Sequence, residues 1–137
     1  MKARMFLVIS SGVLIFSCAA PVYQSPMTPE QRAEEHRKRY ERADSLISIG
    51  KIKFTGGDGS SKENAIKIDG AKSGSEGIPA EYIYISKKHG NRDVDWKLQG
   101  QSLLGDKGKS YDFVEIEIQE SKTIVGYYFD ITDFFGR

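Results

Sequence analysis

Few side chains in this sequence are suited to nucleophilic or metal chemistry. The chain contains one cysteine, Cys18, and two histidines, His36 and His89. Zinc sites and Cys–His nucleophiles need several such groups in a recognisable arrangement. These residues match none, so we expect no metal and no other cofactor. Both histidines fall in helical patterns and are expected to be structural, with His89 partly cationic near a helix end.

Carboxylates offer a second route to catalysis. Five acidic residues crowd the last part of the chain, at Asp112, Glu115, Glu117, Asp130 and Asp133. Two carboxylates in one cleft can serve as general acid and base. Cross-strand ion pairs of Glu115 or Glu117 with Lys97 or Lys122 are the alternative, because opposite charges on neighbouring strands attract. We favour the ion pairs and expect no enzyme.

Residues 56–61 form a run of glycine, aspartate and serine. This run lacks the spacing of a phosphate-binding P-loop. It also lacks the alternating acids of a twelve-residue calcium loop. A tight polar turn before a strand is the expected structure.

The amino terminus has the pattern of an export signal. Lys2 and Arg4 precede an uncharged, mostly apolar run over residues 5–17. A helix of that length rises roughly 20 Å at ~1.5 Å per residue, which is short of the ~30 Å hydrocarbon core of a membrane. We therefore expect a cleaved signal peptide rather than a transmembrane anchor.

The end of this run, Ile15-Phe16-Ser17-Cys18, resembles the lipobox of bacterial lipoprotein precursors. Ile15, Ser17 and Cys18 match that pattern, whereas Phe16 is bulkier than the usual residue. The resemblance implies cleavage before Cys18 and acyl chains such as palmitate on that residue, which anchor the protein in a membrane. An ordinary secretory leader is the alternative, but it leaves an unpaired thiol unexplained. Ala19 is not the aspartate that retains lipoproteins in the inner membrane of enteric bacteria, so a periplasm-facing position on the outer membrane is favoured.

The sequence predicts four consecutive segments: a signal peptide at 1–17, a lipidated tether at 18–28, a charged helix at 29–50 and a small α+β domain at 51–137. The tether contains prolines and no charge, as flexible linkers do. Thr28, Pro29 and Gln31 have the order of a capping box, so the helix should run from Pro29 to Ser48. Its apolar stripe is narrow, which favours a solvated helix lying on the domain over a helix that binds a partner or a membrane surface.

The pattern after residue 51 predicts the α+β domain. Strands are expected at 51–54 and 65–69, followed by a helix at 79–88 that begins at Pro79 and has Ile78, Tyr82 and Ile85 on one face. Apolar and polar residues then alternate in three segments, at 94–104, 114–119 and 125–131. The turn-forming residues between these segments predict an antiparallel β-meander packed on the helix.

Three short segments of this domain resemble small bacterial lipoproteins and secreted proteins that have no established activity. They are residues 57–61, 108–112 and 129–136. The resemblance covers most of the chain after the tether. It supports the domain limits and transfers no site residue.

The aromatic residues near the carboxyl end divide between two sheet faces. Alternation sends Tyr127 and Phe129 to the core and Tyr128 to the opposite face, where it is joined by Phe113 and Ile124. This strip of Phe113, Ile124 and Tyr128 is either an exposed partner surface or is covered by the charged helix. The sequence leaves both arrangements open.

The charge balance excludes some classes of partner. Twenty basic residues against nineteen acidic ones give a net charge of +1, so nothing favours nucleic acid. We expect an envelope protein that is held on the membrane through lipid on Cys18, contacts an envelope protein partner and acts as a non-enzymatic binding or structural module. The alternatives are a periplasmic inhibitor or immunity-like protein and a small envelope enzyme that uses the hairpin carboxylates.

Overall fold

The computed structural model describes residues 26–137, which form two helices and five strands. The elements are α1 (Pro29–Ser48), β1 (Lys53–Gly56), β2 (Ile66–Asp69), α2 (Gly74–His89), β3 (Trp96–Asp106), β4 (Lys109–Ile118) and β5 (Ile124–Asp130). The expected α+β class is confirmed. The proposed signal peptide, Cys18 and most of the tether lie outside the described residues. No helix between residues 26 and 137 is both long enough and apolar enough to span a membrane.

The bounds of α1 are those predicted from the sequence. The Thr28 hydroxyl accepts from the Gln31 amide at 3.2 Å, and the Gln31 side chain accepts from the Thr28 amide at 2.8 Å. Together these bonds form the capping box, which satisfies two amides that the first turn of a helix leaves free. On the exposed side, Arg37 pairs with Glu34 and Glu41. On the other side, Ala43 is fully buried.

Helix α2 begins five residues earlier than predicted, at Gly74, so Pro79 lies inside the helix. Proline there removes one backbone hydrogen bond. This part of the helix is nevertheless buried, including Gly77 and Pro79 themselves, so tertiary packing outweighs the local preference against proline. The buried side follows Gly77, Glu81 and Ile85 at intervals of four residues. Of the three residues that the sequence places on one face, Tyr82 and Ile85 are buried, whereas Ile78 is 42% exposed.

The sheet has the strand order β1-β2-β5-β4-β3. The predicted meander of β3, β4 and β5 is confirmed, with antiparallel pairing throughout. However, β2 pairs with β5 in parallel, with Ile66 opposite Phe129. This pair joins the β1–β2 hairpin to the meander and makes the sheet mixed rather than purely antiparallel.

Two details of β3 differ from the sequence prediction. Val94 precedes the strand and is 69% exposed, although the alternation of residues 94–104 puts it on the same side as Trp96, which is fully buried. The register also shifts between Leu98 and Gly100. A bulge of this kind inserts one residue and reverses the alternation, so that Gln101 instead of Gly100 shares a face with Leu98.

The core lies between α2 and one face of the sheet, which we call the inner face. Its largest fully buried side chains include Trp96, Phe129, Phe134 and Ile85. Helix α1 packs against α2, where the rings of Tyr40 and Tyr82 are stacked with centroids 6.3 Å apart. Both helices therefore lie on the inner side, and the opposite side of the sheet is called the outer face.

Candidate functional site

The acidic residues of the meander are dispersed rather than gathered in one cleft. Three of them form ion pairs: Asp130 with Lys109 at 3.1 Å, Asp133 with Lys67 at 3.2 Å and Glu117 with Lys122 at 3.3 Å. The Glu117–Lys122 pair is one of those predicted from the sequence. Asp112 differs from these three acids, because it lies on the inner face, opposite Phe129 in the register.

Asp112 belongs to a polar cluster, which we call the acid clamp, with three buried members and one exposed member, Gln101. It comprises Glu81 and Tyr82 of α2, Gln101 of β3 and Asp112 of β4. The Gln101 amide nitrogen donates to Asp112 Oδ2 at 2.7 Å and to Glu81 Oε2 at 3.4 Å. The Tyr82 hydroxyl donates to Gln101 Oε1. One side chain of β3 thereby connects the helix to the central strand of the meander.

The two carboxyl groups of the acid clamp hold their protons more tightly than usual. Burial raises the pKa of Glu81 well above its ordinary value, and the negative charge of Asp112 raises it further. Burial also raises the pKa of Asp112, although hydrogen bonds from Gln101 and Glu81 act in the opposite direction. For both groups the net effect is a raised pKa, which favours the protonated form more than in water.

The acid clamp has no cationic partner in the described part of the chain. No lysine or arginine nitrogen of residues 26–137 lies within ion-pair distance of Glu81 or Asp112. Glu81 Oε1 is buried and receives no hydrogen bond. The acid clamp is therefore a carboxyl pair without a counter-ion among residues 26–137.

The sequence analysis identified Asp112 as an acidic candidate but missed Glu81. A signal was present, because Glu81 stands four residues before Ile85, the spacing of two residues on one helix face. A carboxylate on the buried side of a helix normally requires a partner. The neighbouring carboxyl group, Asp112, belongs to β4, and the pattern of the helix alone does not show which strand faces Glu81.

Beside the acid clamp, three aromatic rings form a column through the two helices and β3. The ring centroid of Tyr82 lies 6.3 Å from that of Tyr40 and 6.4 Å from that of Trp96. The Arg92 guanidinium lies 4.4 Å above the Tyr82 ring and donates to the Tyr40 hydroxyl at 3.1 Å. The charge of Arg92 is therefore directed at aromatic rings rather than at the carboxyl pair.

The aromatic strip of Phe113, Ile124 and Tyr128 lies on the outer face. Phe113 and Tyr128 are opposite each other on β4 and β5, with ring centroids 4.6 Å apart, and each is half-buried. Ile124 is 50% exposed. Because α1 packs on α2, neither helix among residues 26–137 covers this strip.

The aromatic strip also has a structural role. A Cβ atom placed on Gly126 would lie 2.5 Å from the Phe113 ring, so the ring rests directly on the glycine backbone. An aromatic side chain that covers a glycine on the neighbouring strand shields the sheet hydrogen bonds there. The part of the strip left for a partner is the upper surface of the two rings together with Ile124.

The environment of His89 corrects the prediction of a partly cationic ring. Its Nε2 atom lies 2.6 Å from the Tyr127 hydroxyl. Burial lowers the pKa of His89, and the neighbouring Lys88 charge lowers it further. These two effects outweigh the attraction of the helix end, so the neutral ring is favoured.

The glycine-rich segment forms a polar turn that caps the sheet, as expected. The Ser60 amide donates to Asp58 Oδ1 at 3.0 Å, and the Gly59 carbonyl accepts from the Tyr128 amide at 2.9 Å. Gly59 has a φ of 84°, and a Cβ there would lie 2.7 Å from Ile66. Within the described residues, no group of three or more metal-binding side chains is assembled.

Comparison with protein-family models, with curated proteins and with solved structures gives no match to this chain. The proposed lipidation residue, Cys18, lies outside the described residues.

Proposed function

We propose that this protein is a lipid-anchored protein of the bacterial cell envelope that acts as a non-enzymatic binding or structural module. The observation that carries the anchor is the order of its amino-terminal signals: a basic start, an apolar run and the Ser17-Cys18 junction. Lipid on Cys18 and the proline-containing tether then hold the α+β domain at the membrane surface, with the outer membrane favoured.

The proposed contact surface is the aromatic strip. Tyr128 and Ile124 leave apolar area on a sheet face that neither helix covers in residues 26–137. Partly exposed aromatic residues are enriched at protein contacts because they offer a large apolar area at low entropic cost. Tethering raises the effective concentration of such a surface toward a neighbour in the same membrane, so even weak binding is useful there.

The anchor is tested by metabolic labelling with a fatty acid in the native host. We expect the wild-type protein to carry the label and the Cys18→Ala variant to lose it and keep its leader. Ser17→Ala is the matched control, because it keeps a small residue before the cysteine and should be labelled normally. Label that persists in Cys18→Ala would overturn the anchor.

The contact surface is tested by photo-crosslinking in the native envelope. A photoreactive residue replaces Tyr128, and a control replaces Lys87, which is exposed on α2 on the other side of the domain. We expect a discrete protein adduct from position 128 only. The same adducts from both positions, or none from position 128, would contradict the surface. If the adduct is an enzyme that the protein silences, the inhibitor or immunity-like alternative is favoured.

The enzyme alternative requires two neighbouring carboxyl groups that are not engaged in ion pairs. Asp130, Asp133 and Glu117 are engaged in ion pairs, so the carboxyl pair with shifted pKa values is Glu81 with Asp112. Loss of the cellular function in a folded Asp112→Asn variant, with retention in Tyr128→Ala, would favour catalysis over contact.

A further inference from the structure

β3 is the longest strand of the described sheet and forms one of its edges. It ends the strand order and pairs only with β4 among the described strands. Residues 98–105 carry no charge and no proline. Within residues 26–137, no backbone group outside the sheet bonds to residues 97–106. The outward amides and carbonyls of β3 are therefore free for another strand. The opposite edge, β1, has only four residues and begins with Lys53, and both features discourage strand addition.

We propose that β3 is a dimerisation edge. It pairs antiparallel with β3 of a second copy of this chain, and Ser102 of one copy lies opposite Ser102 of the other. The two sheets then join into one continuous sheet. This pairing goes beyond the proposed function, because it requires neither lipid on Cys18 nor the aromatic strip.

The first argument is the order of side chains along the edge. Lys97, Ser102 and Asp106 all lie on the outer face, because each faces a residue of β4 that shares the side of Phe113. Where a two-fold axis continues a sheet, facing residues of the two copies must lie on the same side. An axis at Ser102 meets this condition once Gln99 is taken as the extra residue of the bulge. Lys97 of each copy then faces Asp106 of the other.

The second argument is charge complementarity. Lys97 is exposed and forms no ion pair within residues 26–137, and Glu117 opposite it on β4 is paired with Lys122 at 3.3 Å. Asp106 binds Lys62 through Oδ2 at 2.8 Å, while its Oδ1 accepts no hydrogen bond from the described residues. Both ends of the paired strands thus bring an ammonium group without a partner to a carboxylate with a free oxygen. Opposite charges on facing residues stabilise a strand pair.

Charge also selects the register. An axis one residue away in either direction moves Lys97 opposite Leu104 or Gly108, and neither carries a charge. The axis at Ser102 is the one of these three that forms two ion pairs with Asp106. A second copy of this chain therefore fits the edge better than an arbitrary strand.

The third argument is apolar area at the edge. Leu103 is 55% exposed. In the proposed register it faces Gln101 of the second copy. Gln101 is held by its hydrogen bonds within the acid clamp, so its methylene groups present a fixed surface. Each copy thus covers part of one exposed leucine of the other, which favours association.

The dimer edge is tested by disulfide trapping of the full-length protein in its native host, with a membrane-permeable oxidant. Facing residues of an antiparallel pair have Cα atoms about 4.5–5.5 Å apart, within the ~4.4–6.8 Å range of disulfides. We expect Ser102→Cys to form a disulfide-linked dimer. Lys97→Cys is the matched control, because it lies on the same exposed edge but about eight positions, or ~26 Å, from its own counterpart. It should link about tenfold more slowly or less. Wild type gives the background of linkage through Cys18.

The ion pairs are tested in the Ser102→Cys protein. Adding Lys97→Glu should slow the linkage about fivefold, because two attractions become two repulsions. Adding Asp106→Lys to that variant should restore the rate, because the facing charges are again opposite. Lys87→Glu makes the same charge change on α2 and should leave the rate unchanged.

Two outcomes would overturn the proposal. One is an absence of linkage above background in Ser102→Cys that accumulates like wild type. The other is an equal rate in Ser102→Cys and Lys97→Cys. If Ser102→Cys does not accumulate, the mass of the purified wild-type protein in detergent decides. Two copies per particle are expected, and a single copy would refute the dimer.

Discussion

Replacement of Gly77 by alanine is expected to destabilise the fold by forcing Phe134 out of its position. A Cβ atom on Gly77 would lie 2.2, 2.3 and 2.7 Å from three atoms of the Phe134 ring. Carbon atoms in contact are normally about 3.5–4.0 Å apart. Phe134 is 1% exposed, so its ring lies within the core rather than at the surface.

The magnitude follows from two opposing effects. Alanine is better than glycine inside a helix by about 1 kcal/mol. Overpacking of a well-packed core costs typically ~1–3 kcal/mol, and three ring atoms at such short distances favour the upper end, ~3 kcal/mol. The difference predicts a loss of about 2 kcal/mol in the free energy of unfolding, which is a large part of the stability of a small domain.

The assay is denaturant unfolding followed by the fluorescence of Trp96, the one tryptophan of the chain, which is fully buried. Gly74→Ala is the matched control, because its new Cβ would meet only Ile78, at 3.8 Å. We expect this control to keep or slightly raise the stability. Adding Phe134→Leu to Gly77→Ala should cost less than the sum of the two single changes. A Gly77→Ala protein as stable as Gly74→Ala would refute the reasoning.

Three further predictions concern other parts of the domain. Burial raises the pKa of Asp130, but hydrogen bonds from Thr132 and the ion pair with Lys109 outweigh this effect, so the pKa is lowered overall. Wild type should therefore be more stable than Asp130→Asn, with the full advantage above about pH 5 and a smaller one in more acid solution. Denaturant unfolding at several pH values measures this difference. Burial and Lys88 lower the pKa of His89, so its NMR titration should have a midpoint below 6.5 that rises in Lys88→Met. Gly126→Ala should destabilise the protein by about 1–3 kcal/mol in thermal or denaturant unfolding because its Cβ meets the Phe113 ring, and Phe113→Ala should reduce this penalty.

Local signals account for the features that the sequence analysis predicted well. The capping box at Thr28 and Gln31 places the start of α1, because both hydrogen bonds join residues three positions apart. The alternation of apolar residues predicts the buried faces of β4 and β5, since neighbouring side chains of a strand point to opposite faces. These elements were predictable because the interactions that define them lie within a few residues of each other.

The candidate sites were predictable only in part. The aromatic strip follows from the period of two, which puts Phe113 and Tyr128 on the face opposite the core. Whether α1 covers that face depends on where α1 docks. The narrow apolar stripe of α1 is compatible with either side, and packing against α2 is what leaves the strip uncovered in residues 26–137.

By itself the sequence determined the α+β class, the extent of α1 and the meander of β3, β4 and β5. Only the tertiary structure decided the parallel pairing of β2 with β5, the position of Pro79 inside α2 and the meeting of Glu81 with Asp112. The physical reason is the distance along the chain between the residues that interact. Each of the first set is specified by contacts between residues close in the chain or on consecutive strands, whereas each of the second depends on burial between distant segments, where packing outweighs local preference.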